Sequence, residues 1–93
     1  MINEEIKKIR KKLDKLDNDF LKIIKKRTIL VNQVLKNKKN KKDIIDKKRI
    51  SLILKRIDQK SKIKKIDPKI TKRIWSSMIK AYIDYEFRNF KRK

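Results

Sequence analysis

The chain has 93 residues and a formal net charge of +21, and it contains no cysteine, histidine or glycine. Their absence excludes disulfides, thiol or histidine catalysis, most zinc sites and glycine-rich phosphate loops. A chain of this length is expected to form a single domain, residues 1–93, with a modest core that a second chain would enlarge.

A long first helix is predicted from about residue 3 to residue 37. Asn3 is its expected N-cap, and Glu4 and Glu5 suit the positive end of the helix dipole. A helix of roughly 50 Å is too long to fold back within so small a globule, and it favours a dimer in which long helices pair. Its apolar residues alternate spacings of four and three, as in a coiled-coil seam: Ile2, Ile6, Ile9, Leu13, Leu16, Phe20, Ile23, Leu30 and Val34.

Two shorter helices are predicted after the first. The stretch KNKKNKKD (36–43) has no apolar residue and precedes a second helix predicted over 44–62. Asp67 and Pro68 predict the start of a third helix over 68–90, with Asp67 as N-cap and Pro68 in the first helical position. No strand pattern competes, so the predicted fold class is all-α.

The sequence shows no sign of a membrane anchor or an export signal. No apolar run approaches ~20 residues, and the N-terminal MINEEIKK lacks the apolar segment of a secretory signal. A cytoplasmic protein is therefore expected. Neither a metal nor another cofactor is expected.

Two cations follow the apolar stripe of the first helix. Arg27 occupies the seam position between Ile23 and Leu30, and Lys38 comes eleven residues later. Eleven residues at 100° end about 20° past three full turns, so both cations are expected on one face, roughly 16 Å apart along the axis. They could converge on one small anion. Alternatively, Arg27 fixes the register of a helix pair and Lys38 is a solvated loop residue.

Arg10 precedes Arg27 by seventeen residues, which places it about 100° away around the helix and ~26 Å along it. Arg10 and Arg27 of one chain therefore cannot hold the same small ligand. In an antiparallel dimer, Arg10 of one chain could reach the Arg27 site of the other. Taken alone, Arg10 is better explained as an ordinary solvated arginine.

Three more polar residues are predicted on inward faces of the later helices. Asp46 and Arg49 are three residues apart and could form a local ion pair, but Arg49 falls on the apolar side. Glu86, four residues after Tyr82, lies on an apolar face and could pair with a lysine. Together with the cations of the first helix, these residues predict a pocket for a small dianion.

The order of these elements resembles the all-helical, AroQ-type chorismate mutase family. The stretch IRKKLDKLDNDFLKIIKKRTILVNQVLKNK is similar to the family's long first helix. That helix carries an Arg, a Leu-Asp pair, a second Arg and a Lys. The Asp-x-x-Arg motif of the family's second helix is similar to DKKRI (46–50), and its third helix to IDPKITKRIWSSMIKAYIDYE. The resemblance covers nearly the whole chain. It implies an intertwined helical homodimer with two active sites.

The resemblance also implies a role for each matching residue. Arg10 of one chain, with Arg27 and Arg49 of the other, would grip the carboxylates of chorismate. Lys38 would bind the ether oxygen and a carboxylate, and Asp46 would lie near the hydroxyl group. Catalysis would rest on Lys38, Arg27 and Glu86, the residue at the end of the site. Glu86 and Tyr82, one turn earlier, would also bind the substrate.

Four positions depart from the family's usual pattern. Ile50 stands where the family often has a Glu that binds the hydroxyl group. Glu86 stands where many members carry a Gln that donates to the ether oxygen, and Tyr82 where a small hydroxyl residue is usual. Lys65 lies near the place of a common Gly between the second and third helices.

The implied reaction is the rearrangement of chorismate to prephenate, a step of aromatic amino acid biosynthesis in the shikimate pathway. It needs no covalent intermediate, because the enzyme holds the reactive diaxial shape and stabilises negative charge on the breaking ether oxygen. Only a protonated Glu86 can donate a hydrogen bond, so activity is expected to fall as pH rises.

Two other functions stay open. The first is isochorismate pyruvate lyase, built on the same fold, which Ile50 and the aromatic ending YIDYEFRNF favour while Asp46 favours the mutase. The second is a helical nucleic-acid-binding protein, which the charge suggests. Because lysine far outnumbers arginine and the basic residues are spread along the chain, a compositional bias is the better explanation, and nucleic acid is an unlikely partner.

Overall fold

In a computed structural model that describes residues 3–91, the chain forms three α-helices: α1 (Glu4–Lys36), α2 (Lys47–Ile63) and α3 (Pro68–Asn89). A short 3-10 turn, Lys41–Asp43, lies between α1 and α2, and there is no strand within residues 3–91. The all-α, three-helix prediction is therefore confirmed. Ile2, the first residue of the predicted seam, lies outside the described residues. No described helix is long and apolar enough to cross a bilayer.

Capping oxygens are present at two of the predicted helix starts. Oδ1 of Asn3 accepts a hydrogen bond from the backbone N–H of Ile6 at 2.8 Å. Oδ1 of Asp67 accepts one from the backbone N–H of Lys69 at 2.9 Å, and Pro68 occupies the first turn. These bonds satisfy donors that have no partner inside the helix.

The predicted start of the second helix, residue 44, is wrong. Asp46 has an extended backbone, with φ −108° and ψ 93°, and its Oδ1 accepts from the backbone N–H of Arg49 at 3.0 Å. Asp46 is therefore the N-cap, and the helix begins at Lys47. The apolar pattern misplaced this boundary because Ile44 is buried outside the helix. The other helix bounds lie within one residue of those predicted.

The chain divides into two compact units, Met1–Gln33 and Val34–Lys93, so the single-domain prediction stays a prediction. The described part of the first unit is one stretch of α1 without a buried residue. Leu16 is 62% exposed and Phe20 is 48% exposed. Such an apolar stripe is normally covered by another surface. The exposed members of the predicted seam in this unit are Ile6, Ile9, Leu13, Leu16, Phe20, Ile23 and Leu30.

In the second unit, α2 and α3 pack against each other. The Ser61 hydroxyl donates to the Ile57 carbonyl oxygen at 2.6 Å and lies 2.7 Å from the Thr71 hydroxyl. Because a buried polar group without a hydrogen bond costs free energy, these bonds fix how the end of α2 meets the start of α3. The buried residues of this unit, among those described, are Leu35, Ile44, Ser61, Thr71 and Glu86.

The turn after α2 is a Schellman motif around Lys65. The backbone N–H of Ile66 donates to the Ser61 carbonyl at 2.8 Å, and that of Lys65 donates to the Lys62 carbonyl at 3.2 Å. Lys65 has φ 58°, in the left-handed region that favours glycine. Lys65 lies near the place where the family commonly has Gly. In this chain a lysine occupies the left-handed position of the turn.

Candidate active site

A largely buried ion pair joins the segment after α1 to the last part of α3. Nζ of Lys38 lies 3.0 Å from Oε1 of Glu86, and the two side chains are 18% and 9% exposed. The Lys38 ammonium also donates to the carbonyl oxygen of Ile44 at 3.4 Å. Buried charges are tolerated when they are paired and hydrogen-bonded. Here the cation has one carboxylate and one backbone acceptor.

The end of α1 sets the position of Lys38. The backbone N–H groups of Asn37 and Lys38 donate to the carbonyls of Val34 and Leu35 at 3.0 and 3.1 Å, which is the tighter three-residue spacing. Lys38 therefore lies two residues beyond the last residue of the helix, Lys36. The regular helical spacing on which the shared face of Arg27 and Lys38 was predicted does not extend to Lys38.

The segment between α1 and α2, residues 37–46, is named the basic loop here. Inside it, the backbone N–H of Asn40 donates to Oδ2 of Asp43 at 3.2 Å, and the N–H of Ile44 donates to the Lys41 carbonyl at 3.1 Å. This turn buries Ile44 to 3% exposure and brings its carbonyl to Lys38. This acceptor could not be predicted from the sequence, because a backbone carbonyl has no residue-type signal.

Three other predicted site residues belong to the second unit. Asp46 and Arg49 are exposed and are joined by the capping bond from the Arg49 backbone to the Asp46 carboxylate. Tyr82 is half-buried one turn before Glu86, and its ring meets that of Tyr85 edge-on, with centroids 6.3 Å apart. None of these three is a partner in the Lys38–Glu86 ion pair.

The two remaining predicted residues belong to the first unit. Arg10 is exposed on α1, and Arg27 is half-buried on the same helix. Of the seven predicted site residues, the structure thus joins Lys38 and Glu86 directly. The binding and catalytic roles of all seven residues stay predictions.

A separate cleft of about 250 Å³ lies between α2 and α3. Its lining combines apolar residues with two lysines and an aspartate, and it contains neither Lys38 nor Glu86. Cleft size is a weaker guide here than the buried charge pair, since this cleft shows no comparable convergence of buried polar groups. Its lining residues are Leu54, Lys55, Ile57, Asp58, Pro68 and Lys72.

The geometry suits electrostatic chemistry. A sheltered ammonium can stabilise negative charge that develops on a bound oxygen, and the neighbouring carboxyl can accept a hydrogen bond or, when protonated, donate one. The fold and this pair define a class, a helical protein with a largely buried lysine–carboxyl pair. The family model for chorismate mutase type II matches residues 9–87.

The chain therefore belongs to the chorismate mutase type II family, as its motifs indicated. No curated protein and no solved structure matches it in the corresponding comparisons.

Proposed function

We propose that this protein is a chorismate mutase that rearranges chorismate to prephenate in phenylalanine and tyrosine biosynthesis. The observation that carries the proposal is the 3.0 Å contact between Lys38 and Glu86, two residues 48 positions apart in the sequence. The resemblance assigns both residues to the ether oxygen of the substrate. Family membership over residues 9–87 supports the same activity.

Lys38 stabilises the charge that develops during the reaction. As the ether C–O bond breaks and the new C–C bond forms, negative charge builds on the ether oxygen. An ammonium that is only 18% exposed acts more strongly on that oxygen than one in bulk water. The Glu86 carboxyl and the Ile44 carbonyl hold this ammonium in place.

Three arginines supply the grip on the two carboxylates of chorismate. Arg27 and Arg49 act from one chain, and Arg10 acts from the second. Guanidinium groups suit this task, because their planar fork can bind a carboxylate with two hydrogen bonds. Holding the substrate in its diaxial shape removes much of the entropic part of the barrier.

A homodimer is part of the proposal. The seam of α1 is exposed in the described chain, with Leu16 at 62% and Phe20 at 48%. Leu35 and Ile44 are the buried apolar residues among those described. A second copy that covers the α1 seam would add the apolar burial that one chain lacks, and it would bring Arg10 to the site of its partner.

Isochorismate pyruvate lyase is the second candidate. It is favoured by Ile50, a half-buried apolar residue directly after Arg49, where a Glu that binds the substrate hydroxyl is usual. Asp46 favours the mutase, because its carboxylate is predicted near the same hydroxyl. Its exposed position at the start of α2 leaves the carboxylate open to a ligand.

Product analysis separates the two activities. The purified protein is incubated with chorismate and, in a separate reaction, with isochorismate. The products are separated by liquid chromatography and identified against standards, because prephenate has the same mass as chorismate. We expect prephenate from chorismate, and we expect Lys38→Ala to form none while keeping its helical circular dichroism signal. Pyruvate from isochorismate with no prephenate from chorismate would replace the mutase with the lyase.

A further inference from the structure

The carboxylates of the second unit are already engaged locally. Among the described residues from Val34 onward, each aspartate or glutamate side chain accepts a capping bond or forms an ion pair. These acids keep their negative charges, but the lysines and arginines of the unit outnumber them. The engaged acids are Asp43, Asp46, Asp58, Asp67, Asp84 and Glu86.

The basic loop carries exposed lysines beside the candidate site. Lys39, Lys41 and Lys42 are all exposed, and none of their ammonium groups is in an ion pair within residues 3–91. All three stand in sequence between Lys38 and Ile44, whose side chain and carbonyl meet at 3.4 Å. The loop therefore closes on the site, and the Cα atoms of these lysines lie within about 15 Å of that of Lys38, given at most four Cα steps of ~3.8 Å.

Lys47 and Lys48 add to the same field. They occupy the first turn of α2, which has no acidic residue, and both are exposed. The start of a helix already carries a partial positive charge. The basic loop and the first turn of α2 thus concentrate positive potential on the side of the unit where Lys38 lies.

We propose that Lys39, Lys41 and Lys42 of the basic loop attract the dianionic substrate to the site and raise its local concentration there. The inference rests on the proposed function, because it takes chorismate or isochorismate as the dianion. An electric field that is focused in this way raises the association rate of a charged substrate. The effect weakens as ionic strength increases. Since these lysines lie outside the site, they affect capture of the substrate and leave the chemical step unchanged.

The test compares two triple variants that lose the same charge. The first is Lys39→Gln, Lys41→Gln and Lys42→Gln in the basic loop. The matched control is Lys60→Gln, Lys64→Gln and Lys69→Gln, three exposed lysines at the other end of the helical hairpin. Along their helices, Lys60 and Lys69 are more than about 20 Å from Asp46 and Glu86, which exceeds the Debye length of about 8 Å at 0.15 M ionic strength.

We expect the loop variant to lose roughly threefold in kcat/KM at 0.15 M ionic strength and about tenfold or more at 0.01 M. Its kcat should equal that of the wild type, and the control variant should keep its kcat/KM at 0.15 M. Circular dichroism and light scattering establish that both variants keep the wild-type fold and mass. Equal kcat/KM values for loop variant and control at both ionic strengths would overturn the proposal.

Failure of the proposed function gives a different result. If the wild type turns over isochorismate instead, the same comparison is made with that substrate. If the wild type turns over neither compound, calorimetric binding of chorismate to the three proteins replaces kcat/KM. Weaker binding by the loop variant alone would then support the proposal while the mutase assignment fails. No binding by the wild type would overturn both.

Discussion

At the scale of single residues, the Lys38–Glu86 pair determines which hydrogen bonds the site can make. Glu86 accepts from the Lys38 ammonium at 3.0 Å. An ionised carboxylate has no hydrogen to donate to an ether oxygen, whereas a protonated carboxyl or an amide has one. Glu86 can therefore assist the breaking ether bond only while it carries a proton.

This requirement predicts the effect of an amide at position 86. An amide always has a hydrogen to donate, and its oxygen can still accept from Lys38. Glu86→Gln should therefore keep or raise kcat, whereas Glu86→Ala, which can neither donate to the ether oxygen nor accept from Lys38, should lose most of it. Steady-state kinetics of the three proteins provide the measurement. A Gln variant as inactive as the Ala variant would remove the donor role from this position.

Lys65 offers a prediction about stability. Its φ is 58°. This conformation is less stable by about 1 kcal/mol or more for a residue with a Cβ than for glycine. Lys64, the neighbouring C-cap, has φ −84° and serves as a matched control. Each change to glycine adds a similar entropy to the unfolded chain. Lys65→Gly should therefore be more stable than Lys64→Gly by about 1 kcal/mol or more in urea denaturation; equal midpoints would contradict this.

At the scale of the elements, Asp46 has two assigned tasks that can be separated. It caps α2 through its bond to the Arg49 backbone, and it is proposed to lie near the substrate hydroxyl. Asp67 caps α3 in the same way but belongs to the other end of the hairpin. Loss of either cap costs about 1 kcal/mol. The matched pair of alanine variants therefore separates capping from substrate binding.

Asp46→Ala and Asp67→Ala should lower the free energy of unfolding by similar amounts, about 1 kcal/mol each. We expect Asp46→Ala alone to lower kcat/KM strongly. Asp46→Asn should keep the cap, since asparagine is as good an N-cap as aspartate. It should still lose activity, because the negative charge near the substrate hydroxyl is removed. Denaturation curves and kinetics of the three variants test this. Equal activity losses in the two alanine variants would reduce Asp46 to a capping residue.

The helices show what local patterns can and cannot predict. Asn3 and the Asp67-Pro68 pair located two helix starts, because their capping chemistry lies in the sequence itself. The start of α2 was misplaced, because Ile44 continued the apolar pattern although its backbone lies in a loop. Hydrophobic spacing reports burial, and it does not report the conformation that produces the burial.

The candidate site depended on information beyond local patterns. Spacing placed Glu86 on an apolar face, and Glu86 is buried. Its contact with Lys38 bridges 48 sequence positions, so the resemblance of the whole chain to a family was needed to suggest it. The Ile44 carbonyl could not be anticipated at all. Arg10 is exposed in the described chain, and its proposed ligand site belongs to a second copy.

At the scale of the whole molecule, the exposed seam of α1 and the small apolar core both support the proposed homodimer. An apolar stripe of this length is costly in water unless a partner covers it. If the partner is a second copy, each active site takes Arg27 from one chain and Arg10 from the other. Two variants that are inactive alone should then restore activity when they share a dimer.

Mixing Arg10→Ala with Arg27→Ala provides this measurement. Each variant alone should have almost no mutase activity while its fold and mass are kept. After the two are unfolded and refolded together, heterodimers should contain one intact site and one doubly defective site, and the mixture should recover about a quarter of wild-type activity. A mixture no more active than the mean of the separate variants would contradict a site shared between two chains.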